Sequence, residues 1–171
     1  MKHPFHLFYP TEYVSGIDQI TPEWLAARGA RGVVFDIDNT VVAQDAPADE
    51  AAKRYFAALH EAGIRTFVVS NNGEPRVKAF AEAVGCGWCC KAKKPSRRGY
   101  LAAIRGMHLK RKEVIVVGDQ LFTDIWGANR SRIRSVLVAP VEPKKDTPGV
   151  ALKRPFEKIV FSVWKKRQKN S

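Results

Sequence analysis

Two aspartates separated by one residue stand at the end of an apolar run, in the segment VVFDIDNT at residues 33–40. Side chains alternate along a strand, so Asp36 and Asp38 can lie on the same side of it. Two carboxylates can share the hydrolysis of a phosphate ester. One acts as nucleophile and metal ligand, and the other as general acid and then general base. An Asp-x-Asp pair alone is weak support for this chemistry.

Later apolar runs end in residues suited to the same reaction. Ser70 and Asn71 follow one run, where a hydroxyl and a backbone N–H could hold a phosphoryl oxygen. Lys94, before a proline, offers a fixed positive charge to neutralise the developing phosphorane. Asp119 and Asp124 follow a third run and suit a hard divalent cation with oxygen ligands. A helix-stabilising role for Asp124, near the start of its helix, remains an alternative.

The elements around these residues alternate between short β-branched apolar runs and helical patterns. This order predicts an α/β fold with a Rossmann-like parallel sheet flanked by helices. Strands are expected at 32–36, 64–70, 114–118 and 135–139, with a weaker one at 88–91, and helices at 22–28, 49–62, 74–84, 96–105, 121–130 and 155–167. Ligands of open α/β sheets bind beyond the carboxyl ends of the strands, where the candidate residues should meet.

The ordered motifs across residues 33–124 resemble those of the haloacid dehalogenase-like phosphatase superfamily. The first motif, Asp-Ile-Asp-Asn-Thr, looks like that of subfamily IIIA, which includes phosphatidylglycerophosphate phosphatases of bacteria and mitochondria. The resemblance implies a phosphatase that forms an aspartyl phosphate on Asp36, with Asp38 as acid and base. Lys94 would be the superfamily's lysine because that lysine precedes a proline, although Lys91 and Lys93 compete for the role.

The resemblance also implies a magnesium site. The Asp36 carboxylate, the Asp38 backbone carbonyl and Asp119 would bind Mg2+, and Asp124 would bind the ion or support its water. Ser70 would bind the substrate phosphate. Between residues 40 and 65, and again between 73 and 93, the chain is too short for the cap domains inserted there in the superfamily. We therefore expect no cap domain and an open site, which favours a bulky or surface-held substrate.

The composition points to an anionic partner. The 171 residues include 29 Lys and Arg against 17 Asp and Glu, a net charge of +12. No run approaches the roughly 18 apolar residues of a membrane span, and residues 1–10 lack the apolar stretch of a signal peptide. Three clustered cysteines, Cys86, Cys89 and Cys90, do not form a disulfide framework. The expected location is cytoplasmic, or peripheral on the inner membrane surface.

The chain should form a single domain with a short N-terminal extension and a basic amphipathic helix at its C-terminus. In that helix, one apolar face is expected to contain Phe156, Ile159, Val160, Val163 and Trp164. The helix either packs on the domain or binds a membrane surface or a partner. The loop 140–148, with its lysines at 144 and 145, either overhangs the site or is simply solvated.

The leading substrate is phosphatidylglycerophosphate, dephosphorylated to phosphatidylglycerol in phospholipid biosynthesis. The open site, the basic surplus and an apolar-aromatic segment at each end favour it, because basic residues concentrate proteins on anionic bilayers. A soluble sugar phosphate, a nucleotide or a polynucleotide end is the alternative. A basic nucleic-acid-binding protein with a vestigial site is a rival of another class, disfavoured because no RNA-binding module signature is visible.

Overall fold

The computed structural model describes residues 5–142 and 147–169. Its six strands form one parallel sheet in the order β1-β6-β5-β2-β3-β4. The strands are β1 Glu12–Val14, β2 Gly32–Phe35, β3 Arg65–Val69, β4 Gly87–Cys89, β5 Val114–Gly118 and β6 Arg134–Val138. The predicted fold class is confirmed. All five predicted strands are present with ends within two residues, whereas β1 was not predicted.

Seven α-helices connect or follow the strands within the described residues. They are α1 Pro22–Ala26, α2 Glu50–Glu61, α3 Glu74–Val84, α4 Arg97–Met107, α5 Trp126–Arg130, α6 Pro148–Ala151 and α7 Arg154–Lys169. Local sequence sets several ends. The Asp49 carboxylate caps α2 by accepting from the Ala52 N–H at 2.7 Å. Gly85 ends α3 in the left-handed region, at a φ of 71°. A π-helical segment, Leu121–Ile125, leads into α5.

Both faces of the sheet are buried, and neighbouring residues of β2 serve opposite sides. Phe35 packs with Phe56 and Phe80 of α2 and α3 in one cluster. Val34 belongs to a second cluster with Tyr100 of α4. This division explains why β2 is apolar throughout rather than alternating.

The C-terminal helix is seated by a third, smaller cluster. Val160 of α7 packs with Leu121, Ile125 and Leu137. The predicted helix at 155–167 is therefore present, and it packs against β6 and the π-helical segment. The predicted loop lysines at 144 and 145 lie outside the described residues.

The carboxyl edge of the sheet has no inserted domain over it. Every residue from 36 to 96 is described, and this stretch contains only α2, β3, α3 and β4 besides loops. No described helix is both long and apolar enough to cross a bilayer.

Candidate active site

The predicted site residues lie along one edge of the sheet because neighbouring parallel strands end level with one another. Phe35 of β2 is level with Val68 of β3 and Val117 of β5. The Asp36 N–H donates to the Val117 carbonyl at 2.9 Å, which fixes the residue at the end of its strand. Ser70 and Asp119 directly follow β3 and β5.

Three aspartates form a cluster at this edge, and two of them contact Lys94. The ammonium of Lys94 lies 2.5 Å from a carboxylate oxygen of Asp36 and 2.7 Å from one of Asp124. Asp36, Asp119 and Asp124 each offer an oxygen within 4.8 Å of the others, and all three are buried. The Lys94–Pro95 peptide bond is cis. Of the three lysines considered, Lys94 is thus the one whose ammonium contacts Asp36.

The two carboxylate oxygens of Asp124 have different partners, and one of them supports the helix-stabilising alternative. One carboxylate oxygen binds Lys94, and the other accepts from the Gln120 N–H at 3.1 Å, in the first turn of the π-helical segment. The preceding Gly118 makes room for this side chain. A Cβ at that position would lie 2.4 Å from Cβ and Cγ of Asp124.

Arg154 is a site residue that sequence reasoning missed. From the first turn of α7, its guanidinium lies 2.5 Å from the Asp119 carboxylate and donates to the Asp119 carbonyl at 2.9 Å. It also contacts buried Glu157 at 3.3 Å. Glu157 accepts from the Phe122 N–H at 3.1 Å. The C-terminal helix therefore anchors the end of β5.

Asp119 has a further contact on its other oxygen. The Thr40 hydroxyl donates to it at 3.3 Å, and the same hydroxyl lies 3.5 Å from the second carboxylate oxygen of Asp36. Thr40, the last residue of the first motif, thus links the two aspartates.

The Asp38 carboxylate lies outside the cluster of Asp36, Asp119 and Asp124. Its carboxylate accepts from the Asn72 amide at 2.6 Å, from the Arg76 guanidinium at 3.0 Å and from the Asp45 N–H at 2.7 Å. Neither Asn72 nor Arg76 was predicted. Arg76 lies in the first turn of α3, and nothing in its local sequence distinguishes it from a surface arginine.

Ser70 and Asn71, the predicted phosphate-binding pair, have different settings. Ser70 is buried, and its hydroxyl oxygen accepts from the Asn72 N–H at 3.1 Å. The Asn71 side chain accepts from the Lys94 N–H at 2.7 Å. Asn71 therefore positions the lysine-bearing loop, while Ser70 keeps its hydroxyl at the end of β3.

Burial and crowding of like charges shift the protonation of the site. Burial raises the pKa of Asp36 to about 8 against the attraction of Lys94, and Asp124 and Asp119 add to the rise. Burial likewise raises the pKa of Asp119 to about 7, with Asp124 adding to it. Burial alone would lower the pKa of Lys94, but Asp124 and Asp36 outweigh it and hold the ammonium charged.

The donor set fits a small hard cation. Carboxylate oxygens are preferred ligands of Mg2+, whose octahedral shell places ligands 2.0–2.1 Å from the ion. The three aspartates supply more negative charge than Lys94 neutralises, and Arg154 is shared between Asp119 and Glu157. Burial is the main cause of the raised pKa values of Asp36 and Asp119, and the neighbouring carboxylates add to the rise. A divalent cation at this position would compensate the excess negative charge.

This combination of fold and site defines a class of hydrolases. A family model described as haloacid dehalogenase-like hydrolase matches residues 41–132. The chain is also 39% identical over 161 residues to the protein named "Probable phosphatase YqeG" from Bacillus subtilis, covering 94% of this chain and 93% of that protein. The chain belongs to the haloacid dehalogenase-like hydrolase family, and the predicted enzyme class, a phosphatase of this type, is confirmed.

Solved structures support the fold at lower identity. An uncharacterized protein from Listeria monocytogenes is 16% identical with a TM-score of 0.52, covering 68% of this chain and 83% of that one. A hypothetical protein from Xanthomonas campestris is 17% identical with a TM-score of 0.52, covering 82% and 79%. At these identities the likeness concerns the fold alone.

Proposed function

We propose that the protein is a magnesium-dependent phosphomonoester hydrolase that forms an aspartyl phosphate on Asp36. The observation that carries this proposal is the cluster of buried Asp36, Asp119 and Asp124 at the carboxyl edge of the sheet, with Lys94 paired to Asp36 and Asp124. A nucleophilic carboxylate beside a fixed cation and a cation site is the arrangement that phosphoryl transfer requires.

In the first step, an Asp36 oxygen attacks phosphorus while the bond from phosphorus to the ester oxygen breaks. Asp38 donates its proton to the leaving alkoxide, so the product is an alcohol. In the second step, Asp38 accepts a proton from water as the water attacks the phosphorus of the aspartyl phosphate, and Asp36 leaves as a carboxylate. Lys94 neutralises charge on the phosphoryl group, and the Ser70 hydroxyl donates to one of its oxygens.

Asp36, Asp119 and Asp124 would hold the Mg2+ ion, together with the Asp38 backbone carbonyl. When bound, the ion supplies positive charge to the phosphoryl oxygens and orients the group for in-line displacement. Arg154 and Thr40 orient the Asp119 carboxylate at this site.

The proposed substrate is phosphatidylglycerophosphate, acted on at the cytoplasmic surface of a membrane. The uncapped carboxyl edge leaves room for a phosphate that is presented by a bilayer, and the net charge of +12 favours an anionic surface. A soluble sugar phosphate or nucleotide would not require either feature.

The test is phosphate release from a panel of lipid and soluble phosphomonoesters, with Mg2+ and with chelator. We expect turnover with Mg2+ only, and loss by more than about 1,000-fold in Asp36→Asn, as for other nucleophile removals. Asp18→Asn, at an exposed aspartate before α1, is the matched control. Retained turnover in Asp36→Asn would overturn the mechanism. Turnover of soluble esters without lipid turnover in mixed micelles would overturn only the substrate.

A further inference from the structure

The C-terminal segment has a second apolar face that does not pack on the domain. Leu152, Phe156 and Ile159 are 75%, 61% and 60% exposed. Phe156 and Ile159 are three residues apart and lie on one side of α7, and Leu152 precedes them in the turn between α6 and α7. We call these three residues the outward stripe. The single apolar face expected from the sequence is therefore divided, because Val160 and Trp164 are buried against the domain while Phe156 and Ile159 face solvent.

The surface around the outward stripe is basic. Lys153 and Lys158 are exposed in the same segment, and Lys166 and Arg167 are exposed about two turns beyond Ile159. The only acidic residue between 147 and 169 is Glu157, which is buried against Arg154 and the Phe122 N–H. The exposed charged side chains of residues 147–169 are thus all positive.

The segment that carries the outward stripe also contacts the candidate active site. Arg154, which binds Asp119, lies between Leu152 and Phe156 in the chain. On the inner side of α7, a cavity of about 360 Å3 extends to Asp119 and is lined mainly by apolar residues, including Tyr13, Leu137 and Phe161. The segment that carries the outward stripe therefore also contacts the carboxyl edge of the sheet, through the opposite side of α7.

The N-terminal aromatic segment presents less apolar surface to solvent than the C-terminal segment does. Phe8 packs edge-on against Phe122 and Trp126, with ring centres 5.1 and 5.2 Å apart. Phe5 and Leu7 are only 38% and 39% exposed. Of the two terminal segments that the sequence indicated, the C-terminal one has the more exposed apolar side chains.

We propose that the outward stripe docks on an anionic lipid bilayer. An interfacial helix inserts a narrow apolar strip at the headgroup boundary while basic side chains bind anionic headgroups, and α7 has both parts. Docking would hold the chain at the surface that presents the proposed substrate, while the opposite side of α7 keeps its contact with Asp119. The inference deepens the proposed function, on which it rests for the source of the substrate, but the docking itself requires no turnover.

The test is co-sedimentation of the full chain with vesicles of phosphatidylcholine alone or with 30% phosphatidylglycerol. We expect binding to the anionic vesicles only. The triple variant Leu152→Ser, Phe156→Ser, Ile159→Ser should weaken it by more than about 100-fold, because three large side chains lose their apolar burial. It should keep wild-type hydrolysis of p-nitrophenyl phosphate with Mg2+, which shows that it folds.

Two double variants, each of which removes two positive charges, test the contribution of charge to bilayer binding. Lys158→Gln with Lys166→Gln should weaken binding by about 30-fold, as expected from the contribution of two basic residues near an anionic surface. Arg111→Gln with Lys112→Gln removes the same charge at the opposite, amino end of β5 and should leave binding within about threefold. Binding of the triple variant at wild-type affinity, equal binding to both vesicles, or no binding would overturn the proposal. Failure of the phosphatase proposal would instead appear as turnover in Asp36→Asn.

Discussion

Replacing Arg154 by methionine should destabilise the protein far more than its position near the C-terminus suggests. The Asp119 side chain is fully buried and the Arg154 side chain is only 16% exposed. The substitution keeps the apolar volume of the side chain but removes the cation from Asp119 and Glu157. Two buried carboxylates would then lose their shared partner.

The magnitude follows from the cost of leaving a buried charge unpaired. Removing one member of a buried ion pair costs about 3–5 kcal/mol. Thr40 still donates to Asp119 and Lys94 lies nearby, so we expect the lower end, about 3 kcal/mol at pH 8 in the absence of metal. For a chain of this length, the midpoint of thermal unfolding should fall by about 6–12 °C.

The assay is equilibrium unfolding in urea, with and without Mg2+. Arg154→Met should gain more stability from Mg2+ than the wild type does, because the ion replaces the lost positive charge at Asp119. Arg54→Met, at an exposed position on α2, is the control and should change stability by less than about 0.5 kcal/mol. If both variants lose the same small amount, or if Mg2+ stabilises Arg154→Met no more than the wild type, the reasoning is refuted.

Two further predictions concern the acidic centre. The raised pKa values of Asp36 and Asp119, about 8 and about 7, mean that the folded state holds protons that the unfolded chain releases at lower pH. The free energy of unfolding of the metal-free protein should therefore fall as pH rises from about 5 to about 8. Mg2+ should reduce that fall, as measured by urea titrations at each pH. Gly118→Ala should lower the phosphatase rate by roughly 100-fold, because the added Cβ would lie 2.4 Å from Asp124 and displace it.

Each of these two predictions has an outcome that would contradict it. Stability of the metal-free protein that rises over the same pH range would show that the buried carboxylates are stabilised as anions by groups other than a metal. Gly149→Ala is the control for Gly118→Ala, because a Cβ at 149 meets no heavy atom within 4 Å. Equal rates in the two alanine variants would show that the close approach of Asp124 to Gly118 is not needed.

The sequence predicted the residues at strand ends because their position follows from strand order alone. In a parallel sheet, apolar runs mark the strands, and the polar residue after each run must lie at the common edge. Asp36, Ser70 and Asp119 were found in this way without knowledge of the register. A helix-stabilising role for Asp124 was also named beforehand, but only the structure shows that its other carboxylate oxygen contacts Lys94.

Arg154 and β1 could not be found in this way because both depend on distant contacts. The position of Arg154 follows from the packing of α7 on Leu121 and Leu137, which no local pattern reports. Strand β1 has only three residues, and its Glu12 pairs with Val136, so its short local pattern gives no strand signal. Arg76 contacts Asp38 for a similar reason, since the approach of α3 to the first motif is set by the core.

The two edges of the sheet bear on how the protein behaves at high concentration. The outer strands, β1 and β4, have three residues each, whereas the four between them have four or five. A short edge offers few unpaired backbone groups to another chain, so it discourages sheet-to-sheet association. Removing β1 would expose β6, whose last four residues are buried. The longer unpaired edge of β6 could then pair with another chain, so we expect the truncated protein to aggregate.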